Sequence, residues 1–167
     1  METIVNKVAG SGLVQLDLEE FLPDEPVVVF DLKDHLFMQM ILKEKDFREA
    51  MKNLDRKLYE GKVVAVTCSV DAVIPMWAYM LVASELEPVA EKVYLGDEKQ
   101  ATEKFLLERI AVMDVRGFEN SRVVVKGCGE REIGPAAYAE VTRRLRPVVR
   151  SIMYGEPCST VPVFKKK

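Results

Sequence analysis

The sequence predicts an α/β fold: one Rossmann-like three-layer domain, with a mostly parallel sheet of about five strands and helices on both faces. Three observations predict it. Valine-rich runs alternate with helical stretches from Lys62 to the end, a strand–loop–helix pattern occurs twice, and no linker or low-complexity stretch divides the chain. The N-terminal part is less regular, and the expected domain spans residues 1–167.

Each element has a local reason. Asp17 and Glu20 have the spacing of a helix start, and Pro23 stops that helix after about one turn. Val27–Leu32 is a strand entered from the turn signal Leu22-Pro23-Asp24-Glu25-Pro26. Asp34–Leu42 is apolar without a clean period, so strand and helix both stay open there. Asp46 and Glu49 repeat the capping spacing, and Phe47, Ala50, Met51, Leu54 and Leu58 recur along one helical face. Beyond Gly61 the order is strand Lys62–Thr67, helix Pro75–Leu86, strand Lys92–Leu95 and helix Lys99–Met113. Strand Arg122–Lys126, helix Pro135–Arg146 and strand Ser151–Tyr154 complete it.

Bulk composition narrows the function. The chain has 167 residues, 49% hydrophobic and 31% charged, which suits one packed domain and excludes disorder. A net charge of −3 lacks the basic footprint that nucleic-acid binding needs. Met1–Lys7 shows no basic cap followed by a long apolar run, so no signal peptide is expected. The longest apolar stretch, Ala72–Ala83, contains Pro75 and is shorter than the roughly 20 residues of a membrane span. The expected setting is the cytoplasm, with no membrane contact. Three cysteines cannot close a disulfide framework among themselves, so free thiols are expected.

Two segments echo one another. Lys62–Cys68 leads to Pro75 and a helix with Tyr79 and Leu86, followed by Pro88; Arg122–Cys128 leads to Pro135 and a helix with Tyr138 and Leu145, followed by Pro147. Cysteine and proline match 60 positions apart, the helix landmarks 59 apart. Both units read as a strand, a cysteine in the following loop, then a helix opened by proline at its first position. Each cysteine therefore lies past the carboxyl end of a parallel strand, the edge where open α/β sheets bind ligands. Cys158, in the loop after Ser151–Tyr154, follows the same rule. Three thiols at one edge outline a zinc, iron or iron–sulfur site, with Asp71 as a further donor. There is no CxxC pair, and packing is the bland fate of a cysteine.

Other residues carry a functional and a structural reading side by side. Asp71 and Asp97 serve either the sheet edge or turn and helix-cap duty. Gly127-Cys128-Gly129 is a short loop whose amides can cradle an anion, but no complete nucleotide-binding motif is present. His35, the single histidine, reads as structural. Trp77 and Tyr79 pack or line the base of their unit. Arg143, Arg146 and Arg150, with Lys165-Lys166-Lys167, read as a solvated face and tail.

Several phrases occur together: Leu16-Asp17-Leu18-Glu19-Glu20-Phe21, Ile41-Leu42-Lys43-Glu44-Lys45-Asp46-Phe47-Arg48, Thr67-Cys68-Ser69, Trp77-Ala78-Tyr79-Met80-Leu81 and Lys126-Gly127-Cys128-Gly129. The ending Ser151–Val163 is the most specific. With these phrases the chain resembles, over essentially its full length, a bacterial family mainly from Bacteroidetes known as a domain of unknown function (DUF2480). The resemblance brings no activity. It implies encoding near iron–sulfur assembly genes, and hence iron–sulfur assembly proteins as partners.

Three functions follow as expectations. The first is a metal or iron–sulfur binding accessory protein using Cys68, Cys128 and Cys158, with Asp71 or an outside group in the fourth position. The second is a sulfur-handling or redox enzyme with Cys128 as nucleophile, its thiol pKa lowered by a helix N-terminus. The third is a binding or scaffold module with structural cysteines.

Overall fold

The computed structural model describes residues 6–7, 12–127, 129–156 and 158–167. Among them, the chain forms β1 (Asn6–Lys7), β2 (Leu13–Leu16), β3 (Val28–Asp31), α1 (Glu44–Lys52), β4 (Val63–Thr67) and α2 (Met76–Leu86). It continues through β5 (Lys92–Leu95), α3 (Glu98–Ala111), β6 (Arg122–Val125), α4 (Pro135–Leu145), β7 (Ser151–Glu156) and β8 (Ser159–Lys165).

The class is mixed α/β and the central pairings are parallel, as the alternation predicts. The strands divide between two sheets, ordered β1-β2-β6-β7-β8 and β3-β4-β5. Contacts gather in two compact units: residues 1–22 with 106–167, and residues 23–105. Alternation identifies strands, but nothing local in a strand says which edge it will join, so the partition is not written in the pattern.

In the unit of residues 23–105, β4 lies between β3 and β5, parallel to both. All four residues Val63–Val66 are buried, as a strand covered on both faces requires. Val64 and Val66 pack in one cluster with Phe47 and Met51 of α1 and with Ala78, Val82 and Leu86 of α2. Val63 and Ala65 point the other way, toward Ala101 and Phe105 of α3. This unit alone has three layers. Fully burying such aliphatic side chains stabilises by roughly 1.5–3 kcal/mol each, before chain entropy is set against it.

In the other unit, β6 lies parallel between β2 and β7, and the antiparallel β1 and β8 flank them. Val14, Leu16, Val123, Val125 and Ile152 pack with Leu106 and Ile110 of α3 and with Ala137, Val141 and Leu145 of α4.

Local chemistry explains most element ends. Asp97 caps α3: its carboxylate accepts the Gln100 N–H at 2.8 Å, while the Asp97 N–H donates to Gln100 Oε1 at 2.9 Å. That reciprocal pair is a capping box, and it settles Asp97 as a helix cap. Asp17 caps a short 3₁₀ turn, Leu18–Phe21, as its spacing suggests. The helix expected from Asp46 begins earlier, at Glu44, without a side-chain cap, and gives way after Lys52 to a 3₁₀ turn at Arg56–Tyr59. The ambiguous stretch Asp34–Leu42 starts in a 3₁₀ turn, Leu32–His35, and continues from Phe37 as neither strand nor helix. That second part is a tight turn in which the Phe37 N–H donates to the Ile41 carbonyl at 2.7 Å, with Met38 and Gln39 at positive φ.

The echo between the two strand–loop–helix segments runs much further than their landmarks. A constant offset of 59 matches the buried Phe47, Met51, Val64, Val66, Ala78, Val82 and Leu86 with the buried Leu106, Ile110, Val123, Val125, Ala137, Val141 and Leu145. Asp55 and Asp114 match too. Each accepts the N–H two residues on, from Lys57 at 3.1 Å and Arg116 at 3.0 Å. Strand β3 stands to β4 as β2 stands to β6, for Phe30 aligns with Val66 and Leu16 with Val125. Each first strand leads into an aspartate that caps a 3₁₀ turn, Asp31 at the end of β3 and Asp17 just past β2. The units therefore repeat one arrangement, and in sequence residues 23–105 interrupt the other unit between residues 22 and 106.

Candidate thiol site at the strand ends

Strand β4 ends at Thr67, and Cys68 is the first residue beyond it. The strand fixes where this thiol stands; Asp31, at the end of the adjacent β3, fixes the loop around it. One Asp31 carboxylate oxygen accepts the Ser69 N–H at 3.1 Å and the Lys33 N–H at 3.0 Å. Burial pushes the Asp31 carboxyl up, but the hydrogen bonds from Ser69 and Lys33 outweigh it and leave the group below its ordinary value. A carboxylate that stays ionised is a steady anchor for the loop.

Cys68 is half-buried and free, and its Sγ lies 3.5 Å from the Val70 carbonyl. It lines an open cleft of about 560 Å³ with Val66, Thr67, Met76, Tyr79, Leu95 and Gly96. Burial, and after it the charge on Cys68, raise the Tyr79 hydroxyl above the ordinary phenol value. A thiol, a thioether and a phenol thus share one cleft at the carboxyl edge of a parallel sheet. Such a site suits a thiophilic ligand.

The other sequence candidates fall as follows. Asp71 is exposed in the same loop as Cys68. Cys158 is exposed and free in the turn between β7 and β8, in the other unit. Cys128 lies outside the described residues. Among the described residues, no three His, Cys, Asp or Glu side chains gather as a metal would need.

The offset also revises the repeat itself. Helix α2 starts at Met76 with Pro75 as its cap residue, whereas Pro135 is the first residue of α4. With 59 holding on both sides of the loops, Cys68 corresponds to Gly127, and the two thiols stand one position apart in matching loops.

The glycine-flanked loop meets an internal anion. The Glu19 carboxylate lies beside Gly129 and accepts the Arg131 N–H at 2.8 Å, two residues past the expected cradle. Around that loop Asp17, Glu19, Lys126, Glu130, Arg131 and Tyr138 line a cavity of about 390 Å³, and Lys126 Nζ pairs with Asp17 at 3.0 Å. Both signs of charge face it.

The structural readings hold elsewhere. His35 stacks on Phe30 with ring centroids 5.2 Å apart and meets Phe47 edge-on at 5.5 Å. Trp77 packs against Phe47, under the Arg48 guanidinium. Arg143 pairs with Glu140 on its own helix, and Arg146 covers the Phe164 ring. Among the described residues, no helix is long and apolar enough to cross a membrane. Two contributors carried no sequence signal of their own: Met76, and Asp31, whose place at a strand end before a turn is the one available clue.

The family described as "Protein of unknown function (DUF2480)" matches residues 2–166. The chain belongs to this family. No curated relative and no solved structure matches it. Membership in the DUF2480 family therefore covers both units and brings no chemistry with it, leaving the strand-end thiols to be judged on their geometry.

Proposed function

We propose that this protein binds a thiophilic ligand (zinc, iron or an iron–sulfur cluster) at thiols beyond its strand ends, as a cytoplasmic accessory to iron–sulfur assembly proteins. The candidate donors of this reading are the Cys68 thiolate with the Asp71 carboxylate or an outside group in one unit, and the Cys128 and Cys158 thiolates in the other. The observation that carries it is Cys68. This thiol is free, is half-buried at the end of a central parallel strand, and opens on a cleft that also presents Met76 and Tyr79. A thiolate is the soft ligand of choice for zinc and iron–sulfur centres, and a site with an open position suits transfer better than structural storage.

The test is purification of the full chain without oxygen or chelator, followed by metal analysis, acid-labile sulfide and visible absorption. Stoichiometric zinc, or iron with sulfide, is expected, and Cys68→Ser should remove it while the far-UV circular dichroism stays unchanged. A metal-free, sulfide-free protein that also takes up neither zinc nor iron on addition overturns the reading and moves the weight to thiol chemistry or packing.

A further inference from the structure

The thiol cleft has a counterpart. Val66, Met76, Tyr79 and Leu95 wall the cleft beside Cys68. Their partners at the offset of 59 are Val125, Pro135, Tyr138 and Tyr154, and these wall a cleft of about 360 Å³ in the other unit. Each cleft lies between the end of the middle parallel strand, the first turn of the helix after it, and the end of the next strand. Both copies hold the hollow, and their linings differ.

Where the first cleft has a thiol, the second is closed by hydrocarbon. Val141, Ile152 and Met153 extend its floor, and Val163 of β8 adds a wall with no counterpart in the other copy. Its polar atoms are engaged outside it: the Tyr138 hydroxyl donates to the Lys126 carbonyl and the Tyr154 hydroxyl to the Gly127 carbonyl, each at 3.3 Å, while the Thr142 hydroxyl donates to the Tyr138 carbonyl at 2.7 Å. What faces the space is methyl groups and ring surface. The Tyr138 and Tyr154 rings meet edge-to-face, 5.6 Å apart at 77°. Tyr154 and Val163 are exposed at the mouth, so entry needs no opening motion.

We propose that this cleft is a second, thiol-independent site, and that it takes a small planar aromatic molecule without a buried charge. Its volume lies in the range of small-molecule sites, roughly 300–1,000 Å³. Among the described residues the lining offers no counter-charge, and an unpaired ion there would be strongly disfavoured. An aromatic ring can stack on or meet edgewise either tyrosine at the centroid separations such pairs prefer. The proposal stands apart from the Cys68 reading, since among the described residues no cysteine lines this cleft.

Indole is a suitable probe, titrated into the full chain carrying labelled valine and isoleucine methyl groups and followed by NMR. Saturable shifts are expected at Val125, Val141, Ile152 and Val163. Val163→Asp puts a carboxylate into the wall from an exposed edge strand and should weaken indole by about tenfold or more. Val163→Trp fills the space with a residue that strands favour and should abolish the shifts. Two results overturn the proposal: no shift at these methyls up to the solubility of indole, or equal shifts in the wild type and both folded variants.

Discussion

Gly61 and Asn120 stand 59 residues apart, at φ of 68° and 55°, and each donates its N–H at 2.9 Å to the carbonyl 28 residues later, that of Val89 and Val148. Glycine and asparagine are the two residues that enter the left-handed region most readily. The chain therefore solves the same turn twice, before β4 and before β6, with the two side chains best suited to it. Glu91 and Arg150 continue the match, donating to Lys62 and Ser121, each at 2.8 Å. Gly96 and Gly155, at φ of 135° and 124°, close the two copies alike.

This equivalence makes Gly61→Asn a mild change. An added Cβ at Gly61 meets open space, so backbone conformation alone decides the cost. The asparagine variant should lose less than about 1 kcal/mol, while Gly61→Val, β-branched and poorly suited to positive φ, should lose about 1–3 kcal/mol. Urea denaturation of both variants checks the order. Equal losses would mean that the φ match is incidental.

Leu86 and Leu145 are fully buried at corresponding positions of α2 and α4. Each is the last residue of its helix and accepts backbone N–H groups from the turn after it, Val89 and Ala90 in one copy and Val148 and Val149 in the other. Leu86→Ala and Leu145→Ala should each destabilise by about 2–5 kcal/mol through lost contacts and the cavity left behind. Thermal unfolding of the two variants measures it. A loss below about 1 kcal/mol at either site would show that its core refills the space.

The sequence makes this fold legible where one rule acts alone. Valine runs identify β4 and β6, Pro88 and Pro147 mark where α2 and α4 stop, and the repeat points to the strand ends. It fails where context decides. Strand β8 has mostly exposed residues, with Pro162 inside it, and only its pairing with β7 makes it a strand. The pairings of β2 are equally invisible, because four residues carry too little pattern to choose a partner. At the candidate site the position of Cys68 was legible. The anchoring of its loop by Asp31 was not, since it joins residues 38 apart through a single carboxylate oxygen.

That anchor predicts a change in thiol reactivity. Asp31→Ala removes the acceptor for the Ser69 and Lys33 N–H groups and should cost about 0.5–2 kcal/mol, as the loss of a cap does. With the loop released, Cys68 should alkylate faster than in the folded wild type, while the exposed Cys158 keeps its rate. Mass spectrometry of iodoacetamide adducts over time separates the two thiols. An unchanged Cys68 rate would mean that β4 alone holds it.

His35 supplies a pH dependence with a definite sign. Burial against Phe30 and Phe47 lowers its pKa below the ordinary 6.5, and the nearby Asp34 opposes this without reversing it. The folded chain thus holds this proton less tightly than the unfolded chain. Above pH of about 6.5 the ring is neutral in both states and its stacking is fully retained. As pH falls through 6.5 toward the lower folded value, the unfolded state takes up the proton first and stability drops. His35→Phe keeps an aromatic ring at the position and cannot titrate. The wild type should therefore lose more Tm than the variant between pH of about 7.5 and 5.5, a window that lies above most carboxylate titrations. Parallel losses in the two proteins would place the acid sensitivity elsewhere in the chain.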